Sequence, residues 1–131
     1  MDDVFWRIIN SEIPAYVVYE DDRFIAFLDI NPVTKGHTLL VPKVSVDYIF
    51  DLDDALLSDM MVCAKKVSRG IINAISCIKV ATAVVGLEVP HAHMHLIPIN
   101  SMDDFDFARH VDVSVVEMRE ICDNIRRGIM L

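Results

Sequence analysis

The run Val89-Pro90-His91-Ala92-His93-Met94-His95-Leu96-Ile97-Pro98 puts three of the chain's five histidines at alternate positions. In an extended strand alternate side chains share a face, so His91, His93 and His95 line one side while Ala92, Met94 and Leu96 turn to the other. Imidazole titrates near neutrality and serves as nucleophile, acid, base or metal ligand, which makes such a row a candidate reaction centre. Three readings compete. The rings are satisfied by neighbouring backbone and are purely structural; or they bind zinc, with Glu88 or His37 completing a ligand set; or they perform nucleophilic catalysis at phosphorus. A regular strand spreads positions 91 to 95 over about 13 Å, which counts against convergence on one metal.

A reaction centre needs a frame, and the chain is long enough to build one. It has 131 residues, of which 53% are hydrophobic and 24% charged, which suits a single domain with its own core. The formal charge of −8 argues against a nucleic-acid binder, which needs a basic face. A small phosphorylated ligand remains compatible, because a local cluster such as Lys35, His37 and Lys43 can be positive within an acidic surface. Residues 1–20 carry acids in place of a basic leader, and the apolar stretches are short, so neither signal peptide nor membrane span is expected and the cytoplasm is the expected compartment. Cys63, Cys77 and Cys122 are odd in number and widely spaced in apolar surroundings, which predicts buried free thiols.

Periodicity then supplies the elements. Asp3 can cap a short helix over residues 4–10, ended by Pro14. Tyr16–Tyr19 and Phe24–Leu28 read as a hairpin across Glu20–Arg23, and the loop Asp29–Gly36 leads into a third strand, His37–Val41, closed by Pro42. Leu52, Leu56, Met60, Cys63, Val67, Ile71 and Ile75 recur at helical spacing and predict one long amphipathic helix over about 53–75. A strand over Lys79–Val85 follows, and Gly86 turns it into the histidine strand. The acidic, aromatic stretch Ser101–Phe107 reads as a solvated loop. Ser114-Val115-Val116-Glu117 has the capping-box pattern and opens a short final helix over about 113–128, which Gly128 can help terminate. Hairpin-ordered strands with segregated helices predict an α+β domain with a mostly antiparallel, roughly five-stranded sheet; one long helix packs on it, and the core lies within about residues 4–100.

Residues 91–97 match, position by position, the His-φ-His-φ-His-φ-φ signature of the histidine-triad (HIT) family, where φ is hydrophobic. Phe5–Pro14 resembles that family's opening helix and loop, and Phe27–Pro32 with Lys35–Lys43 resembles its second hallmark, so the likeness extends over about residues 4–100. The resemblance is to the branch of nucleotide hydrolases and transferases, and it implies a purine nucleotide or nucleotide conjugate as partner and a homodimer. It implies His93 as the nucleophile that attacks the α-phosphorus and forms a nucleotidyl-histidine intermediate. His91 and His95 are implied to bind phosphate, support the nucleophile and relay protons, with His37 completing the site. Asp29 is implied to hold the ribose hydroxyls, and Phe27 and Ile30 to line the base pocket. No cofactor is required in this scheme.

The chain also departs from the family pattern. Gly86-Leu87-Glu88-Val89 stands where nucleotide-binding members commonly carry Gly-Gln-Ser/Thr-Val. Leu87 has no hydrogen bond to offer a phosphate. Glu88 contacts the substrate as a general acid or base if burial raises its pKa, repels a polyphosphate, or is an exposed structural residue. Asp3 and Trp6 occupy the positions where many prokaryotic members bind zinc through Cys-x-x-Cys, so that structural metal is not expected. A nucleotide-binding scaffold with little turnover is the alternative function, and a metal-dependent hydrolase stands third.

Overall fold

A computed structural model describes residues 3–131. Asp3 accepts a hydrogen bond from the Trp6 amide at 2.8 Å and so caps α1 (Val4–Ile9), as the sequence predicts. β1 (Val17–Glu20) and β2 (Phe24–Leu28) form the hairpin, whose turn is held by Asp21 accepting from the Arg23 and Phe24 amides. β3 (Thr38–Pro42) pairs antiparallel with β2. The chain then crosses through α2 (Asp54–Ala74) to β4 (Lys79–Ala83) and returns as β5 (Met94–Ile99). The sheet order is β1-β2-β3-β5-β4, antiparallel throughout, with β5 inserted between β3 and β4. α3 (Val115–Ile129) closes the described chain and is capped by Ser114, which accepts from the Glu117 amide at 3.1 Å.

The sheet buries both faces, for different reasons. Phe24, Ala26 and Leu28 of β2, Leu40 of β3 and Leu96 of β5 point to a large core shared with Met60, Val67 and Ile71 of α2 and Met118, Ile121 and Ile125 of α3. Ile25, Phe27, Leu39 and Val41 point the other way and pack beneath Phe5 of α1. β2 is therefore buried along its whole length, and its alternation sorts side chains between two cores.

Three expectations need correction. The core does not stop near residue 100: α3 is no short flank, since its buried stripe makes it the second helix of the layer beside α2. Gly128 lies inside α3 and does not end it; a Cβ there would sit 2.6 Å from the Gly70 carbonyl oxygen of α2, so the two glycines let the helix backbones touch. Cys63 and Cys122 are buried free thiols as expected, but Cys77 is half-buried. No helix among the described residues is long and apolar enough to cross a membrane.

Candidate active site

The site lies on the α1 face of the sheet, where register brings its parts together. His95 pairs directly with Leu39, which pairs with Phe27, so all three share that face, while Met94 and Leu96 enter the helix-side core. The histidine row is not one regular strand, however. β5 begins only at Met94; before it the chain makes a tight turn about Pro90, with the His91 amide donating to the Val89 carbonyl at 2.8 Å and the Ala92 amide to the Val46 carbonyl at 2.7 Å. The bend sends the three imidazoles to different environments.

His91 is fully buried and does not line the pocket, contrary to the expectation that it touches phosphate. Its Nδ1 lies 3.3 Å from an Asp3 carboxylate oxygen and its Nε2 2.9 Å from the Pro42 carbonyl oxygen, so both ring nitrogens are engaged. The Trp6 ring lies alongside at 6.0 Å. Asp3 and Trp6 thus hold His91 in place, and the position offers one carboxylate and an indole where a structural zinc would want a thiolate pair. The support that His91 gives its neighbour runs through its backbone: the His91 carbonyl accepts from His93 Nδ1 at 2.6 Å.

That bond sets the chemistry of His93. Because Nδ1 carries the proton, Nε2 keeps its lone pair, and the ring lines the pocket. Burial lowers the pKa of His93, which keeps the lone pair free. The Phe5 ring meets it edge-on at 4.9 Å and fixes its plane.

His37 and His95 form a second unit. Gly36, at φ +94°, turns the loop into β3 in a backbone conformation that favours glycine, and there a Cβ would stand 3.0 Å from Ile75 Cγ1. His37 Nδ1 accepts from the Val33 amide at 3.0 Å, so its proton sits on Nε2, which faces His95 Nδ1 at 3.0 Å. His95 must therefore accept at Nδ1 and carry its own proton on Nε2. Burial is the first cause of both low pKa values, pushed down to about 3 for His37 and about 4 for His95. Both rings are neutral at pH 7, in a chain of hydrogen bonds that runs one way.

The same directionality bears on metal binding. Asp29, His37 and His95 bring ligand atoms within 4.8 Å of one another. To ligate through Nε2, His37 would have to move its proton to Nδ1, where the Val33 N–H already points. The donor set therefore conflicts with its own hydrogen bonds.

Asp29 lines the pocket, and burial raises its pKa. One carboxylate oxygen accepts from the Asn31 amide at 2.8 Å, which makes the loop's turn, and the other lies 3.7 Å from His37 Nε2. Phe27 is buried beneath the site, edge-on to Phe5 at 5.5 Å, and does not line the pocket. Ile30 is 83% exposed and lies outside the lining as well. Glu88 and Leu87 are exposed at the mouth, so Glu88 lacks the burial that the acid–base reading requires. The proposed Lys35–His37–Lys43 cluster does not form: Lys35 pairs with Glu117 at 2.9 Å and Lys43 with Glu20 at 2.7 Å. The cleft encloses about 420 Å³, within the range of small-ligand sites, and among the described residues neither lysine nor arginine lines it.

Several lining residues escaped the sequence reading, among them Phe107 and His110. Phe107 packs on His95 at 4.9 Å between ring centres, and His110 donates through Nδ1 to the Asn31 carbonyl at 2.9 Å. Phe107 ends the acidic, aromatic stretch that read as solvated, and His110 lies just beyond it. The available signal was His110 itself, the fifth histidine, left without a role.

The HIT domain family matches residues 10–102, which include the whole triad. The chain belongs to the HIT family. An uncharacterized HIT-like protein of Borreliella burgdorferi is 37% identical, with 98% of this chain and 99% of that protein aligned. The adenosine 5'-monophosphoramidase of Saccharomyces cerevisiae is 35% identical over 72% of this chain and 61% of its own length. Among solved structures, a hypothetical histidine triad nucleotide-binding protein of Sulfolobus tokodaii superposes with a TM-score of 0.85 at 30% identity, covering 96% of this chain and 91% of that one. The HIT fold expected from the triad and its flanking blocks is thus the fold observed, and the family is one of nucleotide-binding hydrolases and transferases.

Proposed function

We propose that this HIT protein hydrolyses purine nucleotide conjugates at the α-phosphate through a nucleotidyl-His93 intermediate, without a cofactor, and that nucleoside phosphoramidates suit it best. The observation that carries the reading is the His93–His91 hydrogen bond, which leaves a neutral Nε2 lone pair in a cleft of nucleotide size. Nε2 attacks phosphorus, the bond to the leaving group breaks, and the departing nitrogen takes a proton from water at the open mouth. The hydroxide so generated then displaces His93 from phosphorus and releases the nucleotide. His95 contributes a fixed Nε2–H. Its Nδ1 is occupied by His37 Nε2–H, so it donates a hydrogen bond to charge developing on phosphate and does not itself shuttle a proton. His91 supports the nucleophile through its carbonyl, and Asp29 receives a ribose hydroxyl.

The charge of the lining selects among conjugates. Asp29 and Glu88 are both acidic, and the lysines nearest in sequence are paired elsewhere. A polyphosphate leaving group would meet Glu88 without a cation to offset it, whereas an amine would not. An adenosine phosphoramidate should therefore be turned over faster than a dinucleoside polyphosphate, and Glu88→Gln should narrow the gap. Equal kcat/KM for both substrates in the wild type would reject this selection. The reading further takes the protein as a cytoplasmic homodimer.

A second reading is favoured by the mouth. Leu87 is 89% exposed and supplies no polar side chain to a leaving group, which suits a nucleotide-binding protein with little turnover. Incubation of an adenosine phosphoramidate with the purified protein and EDTA decides between them: steady release of AMP supports the hydrolase, tight AMP binding without release supports the binder, and activity restored only by metal contradicts both.

A further inference from the structure

Residues 103–113 lie beyond the HIT-domain match, yet they form a wall of the cleft. Two of their acidic side chains accept from nearby backbone amides. Asp104 accepts from the Asn100 and Ser101 amides at 2.7 and 3.2 Å, and Asp106 accepts from the Ala108 amide at 2.9 Å. Arg109 returns to the Asp103 carbonyl at 3.1 Å. Two bonds then pin the segment to the loop that carries Asp29: His110 Nδ1 to the Asn31 carbonyl and the Val111 amide to the Pro32 carbonyl, each at 2.9 Å. Phe107 meets His95 edge-on at 4.9 Å and His37 at 6.5 Å.

We propose that this strap is part of the substrate site, with His110 Nε2 accepting a hydrogen bond from the nucleoside and Phe107 shielding the His37–His95 hydrogen bond from water. The proposal rests on the nucleotide reading above. His110 must carry its proton on Nδ1 to bond the Asn31 carbonyl, which leaves Nε2 an acceptor on a ring that lines the cleft. Its anchor is Asn31, two residues from Asp29, so it stands at the end of the cleft assigned to the nucleoside; the groups there that can donate are sugar hydroxyls and base amines. Phe107 packs over the two neutral imidazoles, where excluded water strengthens the bond that orients His95.

The test compares AMP affinity by calorimetry and steady-state kinetics on an adenosine phosphoramidate for the wild type, His110→Ala, His110→Asn and Phe107→Ala. An asparagine amide at 110 keeps a donor in the place of Nδ1 and removes the Nε2 acceptor. Loss of one neutral hydrogen bond predicts that both His110 variants weaken AMP binding and raise KM about five- to tenfold with kcat nearly unchanged. Phe107→Ala should instead lower kcat several-fold with AMP affinity retained. If His110→Asn behaves as the wild type while His110→Ala does not, His110 only ties the loop and the contact is refuted; no effect of either variant refutes it too. An unchanged kcat in Phe107→Ala removes the shielding role. Failure of the wild type itself to bind or process nucleotide would overturn the underlying reading and this one with it, and it is recognisable because it precedes any substitution.

Discussion

His93 and His95 stand two residues apart with rings 5.1 Å from centre to centre, and their hydrogen bonds give them opposite characters. The carbonyl below His93 accepts from its Nδ1–H and leaves a lone pair on Nε2; the N–H of His37 occupies His95 Nδ1 and leaves a proton on Nε2. In the proposed mechanism the first ring attacks phosphorus and the second donates a hydrogen bond. Replacement of His95 by asparagine should therefore cost catalysis through a lost donor, while replacement of His93 should remove the covalent path altogether. The same burial that keeps these rings neutral makes stability depend on pH. His37 and His95 bind protons at about 3 and about 4 when folded, against 6.5 as the ordinary value, so below pH 6.5 the unfolded chain takes up more protons than the folded one. Their contribution is fully present above pH 6.5 and is lost as pH falls through about 4 for His95 and about 3 for His37, with a slope of about 1.4 kcal/mol per pH unit for each ring within its window. Urea denaturation between pH 7 and 4 should show a steeper loss for the wild type than for a His37→Asn/His95→Asn variant; equal slopes would mean that the rings are not held neutral.

Elements position these rings, and the two least regular stretches matter most. The turn about Pro90 separates the roles of His91 and His93, and period-two alternation could not foresee it: the reading assumed extended backbone from Val89 onward, whereas β5 starts at Met94. The stretch after Ser101 is the largely exposed loop that the sequence predicts, but that reading did not foresee that its Phe107 reaches the cleft. Aspartates close to one another suggest solvation, but here their carboxylates satisfy local amides and so order the loop. Where periodicity is long and apolar the reading was sound, as in α2, whose buried Met60, Cys63, Val67 and Ile71 follow the spacing directly. Gly128 shows the limit of composition. A glycine near a helix end suggests a terminator, but only the partner helix reveals that the position lacks room. Gly128→Ala would place a Cβ 2.6 Å from the Gly70 oxygen, a backbone atom that no rotamer change can move. Overpacking of this kind outweighs the roughly 1 kcal/mol that alanine offers a helix, and a net loss on the order of 1–2 kcal/mol is expected in chemical denaturation. A stabilised Gly128→Ala would mean that α2 and α3 can part at little cost.

At the scale of the whole molecule, one sheet serves two purposes. Its helix-side face carries the main core, built from β2, β3, β5 and both long helices, and its opposite face carries the smaller cluster under Phe5 and, beside it, the cleft. The architecture was legible because the triad and the hairpin-ordered strands name the same fold. The assignment of Phe27 and Ile30 to a base pocket was not, since which residues line a cleft depends on packing across loops distant in sequence. The proposed homodimer belongs to this scale too. β4 is an edge strand, and Met61, Val62 and Ile72 of α2 are exposed, so an apolar surface is available for pairing. Light scattering at micromolar concentration should return twice the chain's 14.8 kDa, and a monomer would reject the dimer. The central claim is that His93 becomes covalently nucleotidylated, and the direct measurement is mass spectrometry of acid-sparing quenched protein after brief exposure to an adenosine phosphoramidate. The account predicts an added adenylyl group on a peptide containing His93 and none on His93→Ala; an unmodified wild type during active turnover, or an adduct that persists in His93→Ala, would contradict it.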